Sequence, residues 1–122
     1  QRRRIHLWEL YYRELYDLTE RGKIQLPSFP EFATNNGHMF YILCANLDER
    51  TNFINFLSEQ SIKAVFHYLP LHQSPFYAGK HDGRVLPNAE RFGDCLVRLP
   101  MYYELRDEQV HYIADKVKEF YS

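Results

Sequence analysis

The segment from Ile5 to Leu18 constrains the fold most, because it carries more apolar residues than one helix face can hold. Nine of its fourteen positions are apolar or aromatic. Trp8 and Leu15 lie in one stripe at helical spacing, but Leu7 and Leu10 extend the apolar surface well beyond that stripe. We do not expect one small sheet to cover so much of a helix. The segment therefore predicts a helix that keeps a contiguous apolar patch exposed for another domain or chain.

The start of this helix supports the same interpretation. Residues Gln1 to Arg4 offer no Ser, Thr, Asp or Asn cap, and they place three cations where the helix dipole favours anions. This predicts that the natural helix begins upstream. The alternative is an ordinary amphipathic helix with a basic, frayed N-terminus.

Size and charge narrow the class of protein. A chain of 122 residues with a formal net charge of −1 predicts one domain and gives no field that attracts nucleic acid or an anionic membrane. Cys44 and Cys95 lack C-x-x-C spacing, and the sequence shows neither a signal peptide nor an apolar run of membrane length. We therefore expect reduced thiols and a cytoplasmic location, with no nucleic-acid or membrane partner.

The order of periodic segments predicts an α+β fold, a small and mainly antiparallel sheet with helices packed on one face. We expect helices over 5–18, from an Asp48 N-cap to about 60, from Asn88, and over 107–121. We expect strands at 24–26, at 38–45 in the centre of the sheet, at 62–68, and at 98–101 on an edge. Residues 69–86 have no period and predict a long irregular connection.

The most informative motif runs from His67 to Tyr77. It places two histidines, two tyrosines and two prolines in eleven positions, directly after the apolar-alternating segment from Ile62 to Phe66. Polar aromatic groups at a strand end, held by proline-stiffened backbone, are typical of a binding site. Two further motifs follow, Ala89-Glu-Arg and Arg98-Leu-Pro-Met-Tyr.

These motifs together resemble the C-terminal end of the DegT/StrS family of sugar-nucleotide aminotransferases. The resemblance is closest to the branch that aminates TDP-4-keto-6-deoxy-glucose to the 4-amino-4,6-dideoxygalactose. It continues upstream through Trp8-Glu-Leu-Tyr-Tyr, Gly22-Lys-Ile-Gln-Leu-Pro and Asn36-Gly-His-Met-Phe-Tyr. It spans nearly the whole chain but only the last third of such an enzyme.

The resemblance implies that residues 1–122 form the C-terminal small domain, with residues 1–20 the downstream part of the interdomain helix. The large cofactor-binding domain would be absent from this chain. The full-length enzyme would use pyridoxal phosphate, act on a nucleotide sugar and pair with the second subunit of a homodimer. The chain alone would bind no cofactor.

The resemblance also implies that His67, Tyr68 and His72 bind substrate. A neutral His or a Tyr hydroxyl at a strand end can hydrogen-bond sugar hydroxyls or phosphate oxygens. The alternative is that His67 is a structural histidine that packs in the domain, and this alternative is stronger for His72. Two interpretations are open for Tyr77, His81 and Arg84. They contact the ligand from a mobile lid, or they lie in a solvated loop. Arg91 and Arg98 are interpreted as structural, paired with an acid such as Glu90, Asp94 or Glu104.

No catalytic residue or metal site is predicted. The five lysines, at 23, 63, 80, 116 and 118, lack the context of a Schiff-base lysine, which by resemblance belongs to the large domain. His67 and His72 are five residues apart, so they would point to opposite faces of a strand, and Pro70 breaks a helix between them. No paired Cys or H-x-x-x-H spacing supports zinc.

The sequence thus predicts the C-terminal domain of a pyridoxal-phosphate-dependent aminotransferase. Its substrate would be a nucleotide-linked 4-keto-6-deoxy sugar for a cell-surface polysaccharide such as lipopolysaccharide or common antigen. This chain alone would be inactive. One alternative is a stand-alone, non-catalytic domain that binds a partner through its N-terminal helix. Another is a small independent enzyme that uses its histidines as acid and base.

Overall fold

A computed structural model describes all 122 residues as an α+β fold with a three-stranded antiparallel sheet and four helices. This confirms the predicted fold class. The helices are α1 (Arg2–Glu20), α2 (Leu47–Glu59), α3 (Pro87–Cys95) and α4 (Asp107–Phe120). The strands are β1 (Phe40–Leu43), β2 (Val65–Phe66) and β3 (Leu96–Leu99), and a 3₁₀ turn covers Leu71–Gln73.

The strand order is β1-β3-β2, which corrects the predicted positions of two strands. The strand expected on an edge, at 98–101, is β3, which begins earlier and lies in the centre. The strand expected in the centre, at 38–45, is β1, an outer strand whose free side carries only a single bridge from Gln25 to Leu43. Strand order depends on pairing between distant segments, which local pattern does not encode.

β2 is much shorter than the strand predicted at 62–68. Only Val65 and Phe66 pair, opposite Arg98 and Val97. Ile62 and Ala64 are buried as the alternation predicted, but they precede the ladder. The strand predicted at 24–26 is likewise reduced to the bridge at Gln25.

The main core lies on one face of the sheet. The register pairs Phe40 with Leu99 and Ile42 with Val97, and these four side chains belong to one buried cluster. Buried residues of α1, α2 and α4 complete this cluster, so three helices cover the face. A small second cluster of Leu43, Cys95 and Leu96 includes the end of α3.

The apolar surface of α1 is buried within the domain, so the predicted exposed patch is wrong. Six residues of α1 are buried, and Tyr16 is the one large apolar residue of the helix that stays exposed. Trp8 packs against Phe40 and Phe29, with ring centroids 5.3 and 5.4 Å apart. Phe40 of β1 packs against Trp8 and Tyr11 of α1, α4 packs along the helix, and Phe29 contacts Trp8. The alternative function through an exposed N-terminal helix thereby loses its binding surface.

The helix starts differ in detail from those predicted. α1 lacks a side-chain cap, as expected, but it is tied to the start of α4, because Arg3 donates to the Leu105 carbonyl at 2.6 Å and pairs with Asp107 at 2.7 Å. α2 is capped by Asn46 and not by Asp48, with Asn46 Oδ1 accepting from the Glu49 N–H at 2.8 Å. None of the helices has the length and apolarity that crossing a membrane requires.

Candidate functional site

The motif that begins at His67 leaves the sheet at the end of β2, on the side opposite the main core. Val65 faces Arg98 across the ladder, whereas Phe66 faces the buried Val97. Since side chains alternate along extended backbone, His67 shares the face of Val65. This is the orientation that the alternation in the sequence predicted for His67.

His67 is partly buried beside a positive charge. Its Nδ1 atom is inaccessible and has no hydrogen-bond partner, and its ring lies 4.6 Å from the Tyr68 ring. Burial, and secondly the charge of Arg98, lower the pKa of His67. His67 is therefore a neutral imidazole near pH 7, with one ring nitrogen that can donate and one that can accept.

Tyr68 lies on the outside of this group. It is 71% exposed, and its ring centroid is 6.0 Å from the Arg98 guanidinium carbon. An exposed tyrosine of this kind offers both a ring face and a hydroxyl to a ligand.

His72 lies apart from His67, in the 3₁₀ turn. Its Nε2 atom is 3.2 Å from Glu90 Oε1, its ring centroid is 4.9 Å from that of His81, and its side chain is only 10% exposed. These contacts support the packing role that the sequence kept open. Substrate binding by His72, which the resemblance implied, is not tested by this arrangement and stays the alternative.

Helix α3 fixes the backbone of the motif. Pro70 lies directly against Gly93, and the Gly93 carbonyl accepts a hydrogen bond from Arg50 Nη1 at 2.8 Å. The Arg50 guanidinium also lies 5.0 Å from the Phe66 ring centroid. The position of the motif therefore depends on α2 and α3 as well as on the sheet.

Arg98 is the residue of this surface that sequence reasoning assigned differently. It lies in the central strand β3, between Tyr41 and Val65 of the neighbouring strands. The predicted ion pair is absent: Glu90 contacts His72, and the Arg98 Nε atom is inaccessible and has no partner. The sequence did carry a signal for this position. Arg98 stands between the apolar Val97 and Leu99, which are buried, so alternation along the strand places Arg98 on the outer face.

A cavity of about 240 Å³ adjoins Arg98. Lys63 and His38 contribute polar groups, while the remaining lining is apolar: Met39, Val65, Leu99, Pro100 and Met101. No acidic side chain lines it. The Pro100 carbonyl accepts a hydrogen bond from the Tyr11 hydroxyl at 2.8 Å, so one wall of the cavity is anchored to α1.

The other residues singled out in the sequence have local partners. Arg91 Nη2 donates to Gln25 Oε1 at 2.7 Å. Arg84 pairs with Asp82 at 2.7 Å, and His81 Nε2 lies 2.8 Å from the Arg84 carbonyl. These contacts are all made within the loop. No group of three or more His, Cys, Asp or Glu side chains is arranged to hold a metal ion.

The lysines of this chain do not fit a pyridoxal phosphate site. Lys116 and Lys118 pair with Glu119 and Glu14, at 2.8 and 3.0 Å. Lys80 lies 3.7 Å from the Phe76 ring centroid, and the two remaining lysines are exposed. A Schiff-base lysine needs a desolvated pocket and a cradle for the cofactor phosphate, and none of these positions provides both.

The fold is shared with sugar aminotransferases. A putative sugar aminotransferase from Streptococcus pneumoniae superimposes with a TM-score of 0.86 at 25% identity, over 98% of this chain and 30% of that protein, which has also been solved in PLP and PMP forms. Residues 1–118 match the DegT/DnrJ/EryC1/StrS aminotransferase family, and the chain belongs to that family.

Two relatives show how much of such a protein this chain represents. It is 36% identical over 107 residues to a pleiotropic regulatory protein of Geobacillus stearothermophilus, covering 85% of this chain and 28% of the relative. It is 29% identical over 113 residues to GDP-perosamine synthase of Escherichia coli O157:H7, covering 90% of this chain and 30% of that enzyme. The chain thus spans less than a third of the length of either relative.

Proposed function

We propose that this chain is the C-terminal, substrate-binding domain of a pyridoxal-phosphate-dependent aminotransferase that aminates a nucleotide-linked 4-keto-6-deoxy sugar. The observation that carries the proposal is the outer sheet face. It presents an unpaired His67 and an unpaired Arg98 beside an exposed Tyr68, in a chain of an aminotransferase family. Buried polar atoms without partners are uncommon, and a ligand is one way to satisfy them.

The relatives support the proposed nucleotide-sugar substrate and the proposed cofactor, pyridoxal phosphate. GDP-perosamine synthase is by name an enzyme of nucleotide-sugar metabolism, and the Streptococcus pneumoniae protein is known in PLP and PMP forms. The motif resemblance favours a TDP-linked substrate that leads to a cell-surface polysaccharide. A cytoplasmic location fits a substrate of this kind.

In this proposal the domain binds and orients substrate and takes no covalent part. Pyridoxal phosphate, held by a lysine-bearing large domain outside this chain, would supply the chemistry of amino-group transfer. His67 and Tyr68 would hydrogen-bond sugar or phosphate oxygens, His67 through Nε2 because its Nδ1 atom is inaccessible.

The partners are proposed on the same grounds. Large apolar side chains are exposed along the segment from Tyr68 to Leu86, and Leu69, Leu71, Phe76 and Val85 are each more than 60% exposed. A patch of this kind favours cover by another protein surface. We infer that the large domain and the second subunit of a homodimer provide that cover.

The decisive test uses the full-length protein with TDP-4-keto-6-deoxy-glucose and glutamate. We expect glutamate-dependent formation of the 4-amino sugar, detected by mass spectrometry of the nucleotide sugar. The 122-residue chain alone should give no product and no borohydride-sensitive aldimine absorbance after dialysis. A full-length protein without amination activity on TDP-, UDP- or GDP-linked keto sugars would contradict the proposal.

A further inference from the structure

We propose that Arg98, with Lys63 beside it, binds phosphoryl oxygens, and that the ligand is the diphosphate of the nucleotide sugar. This inference rests on the proposed function, because it names the part of the substrate that this face of the sheet recognises. It gives Arg98 a binding role in place of the structural role that the sequence suggested.

Arg98 lacks a hydrogen-bond partner for its buried Nε atom. A guanidinium carries five N–H donors, and its burial is unfavourable unless they are bonded. The Nε atom of Arg98 is inaccessible and unpaired, and the acids that the sequence offered as partners do not reach it. By contrast Arg3, Arg21, Arg84 and Arg91 donate to protein acceptors, and Arg50, whose Nε is also unpaired, donates through Nη1 to the Gly93 carbonyl.

The surroundings of Arg98 add positive charge and no carboxylate. The adjoining cavity contains Lys63 and His38 and no acidic side chain. His67 is a neutral imidazole near pH 7, and Tyr68 beside it adds a ring and a hydroxyl but no carboxylate. Two cations without a carboxylate favour an anionic ligand.

Arg98 also has a position and shape that suit a phosphate group. Arg98 lies in the central strand of the sheet, held by neighbours on both sides, so its base is rigid. The planar guanidinium can form two parallel hydrogen bonds to phosphate oxygens, whereas an ammonium acts as a point charge. Tyr68, 6.0 Å from the guanidinium carbon, offers a ring for the sugar or base attached to the diphosphate.

The binding test follows the Arg98 Nε–Hε resonance in ¹⁵N-labelled 122-residue chain. Thymidine diphosphate, pyridoxal phosphate and glutamate are titrated separately. We expect thymidine diphosphate to shift this resonance saturably, with weaker or no response to pyridoxal phosphate and glutamate. A larger response to pyridoxal phosphate would assign the site to the cofactor phosphate, and one to glutamate would assign it to the amino donor. Either result would overturn the nucleotide diphosphate as ligand.

Two variants separate binding from charge alone. Arg98→Gln should weaken thymidine diphosphate binding by roughly tenfold or more, which is the scale of a lost charge-assisted hydrogen bond. Arg21→Gln removes the same charge from an exposed position at the end of α1 and should leave binding unchanged. Arg98→Lys, which keeps the charge without the fork, should fall between wild type and Arg98→Gln. Equal weakening by Arg98→Gln and Arg21→Gln would overturn the proposal.

The full-length enzyme provides a separate check. Arg98→Gln should raise KM for the nucleotide sugar by tenfold or more and leave the cofactor absorbance spectrum unchanged. An unchanged KM together with a lower melting temperature would mean that Arg98 pairs with an acid of the large domain, and the anion site would be wrong while the aminotransferase function stood. Absence of amination in the wild type would instead contradict the function itself, whatever the binding data show.

Discussion

The Cα atom of Gly93 in α3 lies so close to the ring of Pro70 that a Cβ atom on Gly93 would stand 2.9 Å from Pro70 Cδ. Pro70 stands between the two histidines of the motif, so this contact sets where His67 and Tyr68 lie. A proline ring cannot swing aside as a long side chain can, because its torsion is closed in the ring. Gly93 is therefore needed for close approach, although its backbone conformation is an ordinary helical one.

Replacing this glycine should disturb the motif. In an ordinary helix Gly→Ala stabilises by about 0.5–1 kcal/mol, but overpacking costs about 1–3 kcal/mol, so Gly93→Ala should lower stability. It should also shift the amide resonances of residues 67–69 and 71–72 in a ¹H–¹⁵N spectrum. Gly79→Ala is the control, because a Cβ there would meet nothing within 4 Å. Stabilisation by Gly93→Ala with unchanged resonances would contradict this role for the contact.

His67→Ala tests the binding role of the motif. In the full-length enzyme it should lower kcat/KM for the nucleotide sugar by about tenfold or more, the value of one hydrogen bond of about 1.5 kcal/mol. The cofactor spectrum and the glutamate half-reaction should be nearly unchanged. His111→Ala, an exposed substitution on α4, should have no effect on kcat/KM. Intact sugar turnover with a melting temperature several degrees lower would make His67 a packing residue.

His72→Ala should act differently from His67→Ala. Its contact with Glu90 joins the 3₁₀ turn to α3, and its loss should destabilise the domain by about 1 kcal/mol, the typical value of one such hydrogen bond. We expect KM for the nucleotide sugar to change by less than about twofold, which corresponds to less than 0.5 kcal/mol. Chemical denaturation and steady-state kinetics on the same variant distinguish a packing role of His72 from substrate binding. A tenfold rise in KM with unchanged stability would place His72 among the substrate ligands.

Asp107 should make stability depend on pH in the acid range. The hydrogen bonds from His6 and then from Arg3 lower the pKa of Asp107 below its usual range. A carboxyl whose pKa is lowered by folding stabilises the folded state above its unfolded pKa of about 3.9, and this contribution is lost as pH falls through the folded value. The melting temperature should therefore fall below about pH 4 less steeply in Asp107→Asn than in wild type.

The control for this measurement is Asp115→Asn, on the exposed side of α4, where the aspartate makes no ion pair. It should keep the acid-range slope of the wild type. A slope that Asp107→Asn leaves unaltered would show that the link between α1 and α4 is not electrostatic.

The sequence by itself determined the elements that local pattern encodes. The apolar periodicity of α1 and α4 located both helices, and the alternation around Val65 gave the outward orientation of His67. The motif resemblance identified the family that residues 1–118 match. These features depend on neighbouring residues, or on a pattern of residue types, and can be recognised without a fold.

Only the tertiary structure decided which surfaces are covered and which side chains remain unpaired. α1 is held against the domain by hydrogen bonds from Tyr11 to the Pro100 carbonyl and from Arg3 to the Leu105 carbonyl. These residues lie about a hundred positions apart along the chain. β3 became central, and Arg98 came to lie without an acid on the outer face, through pairing with both other strands. Such contacts form between segments that no local window contains, so the same residue pattern fits a covered or an exposed helix and a paired or an unpaired arginine.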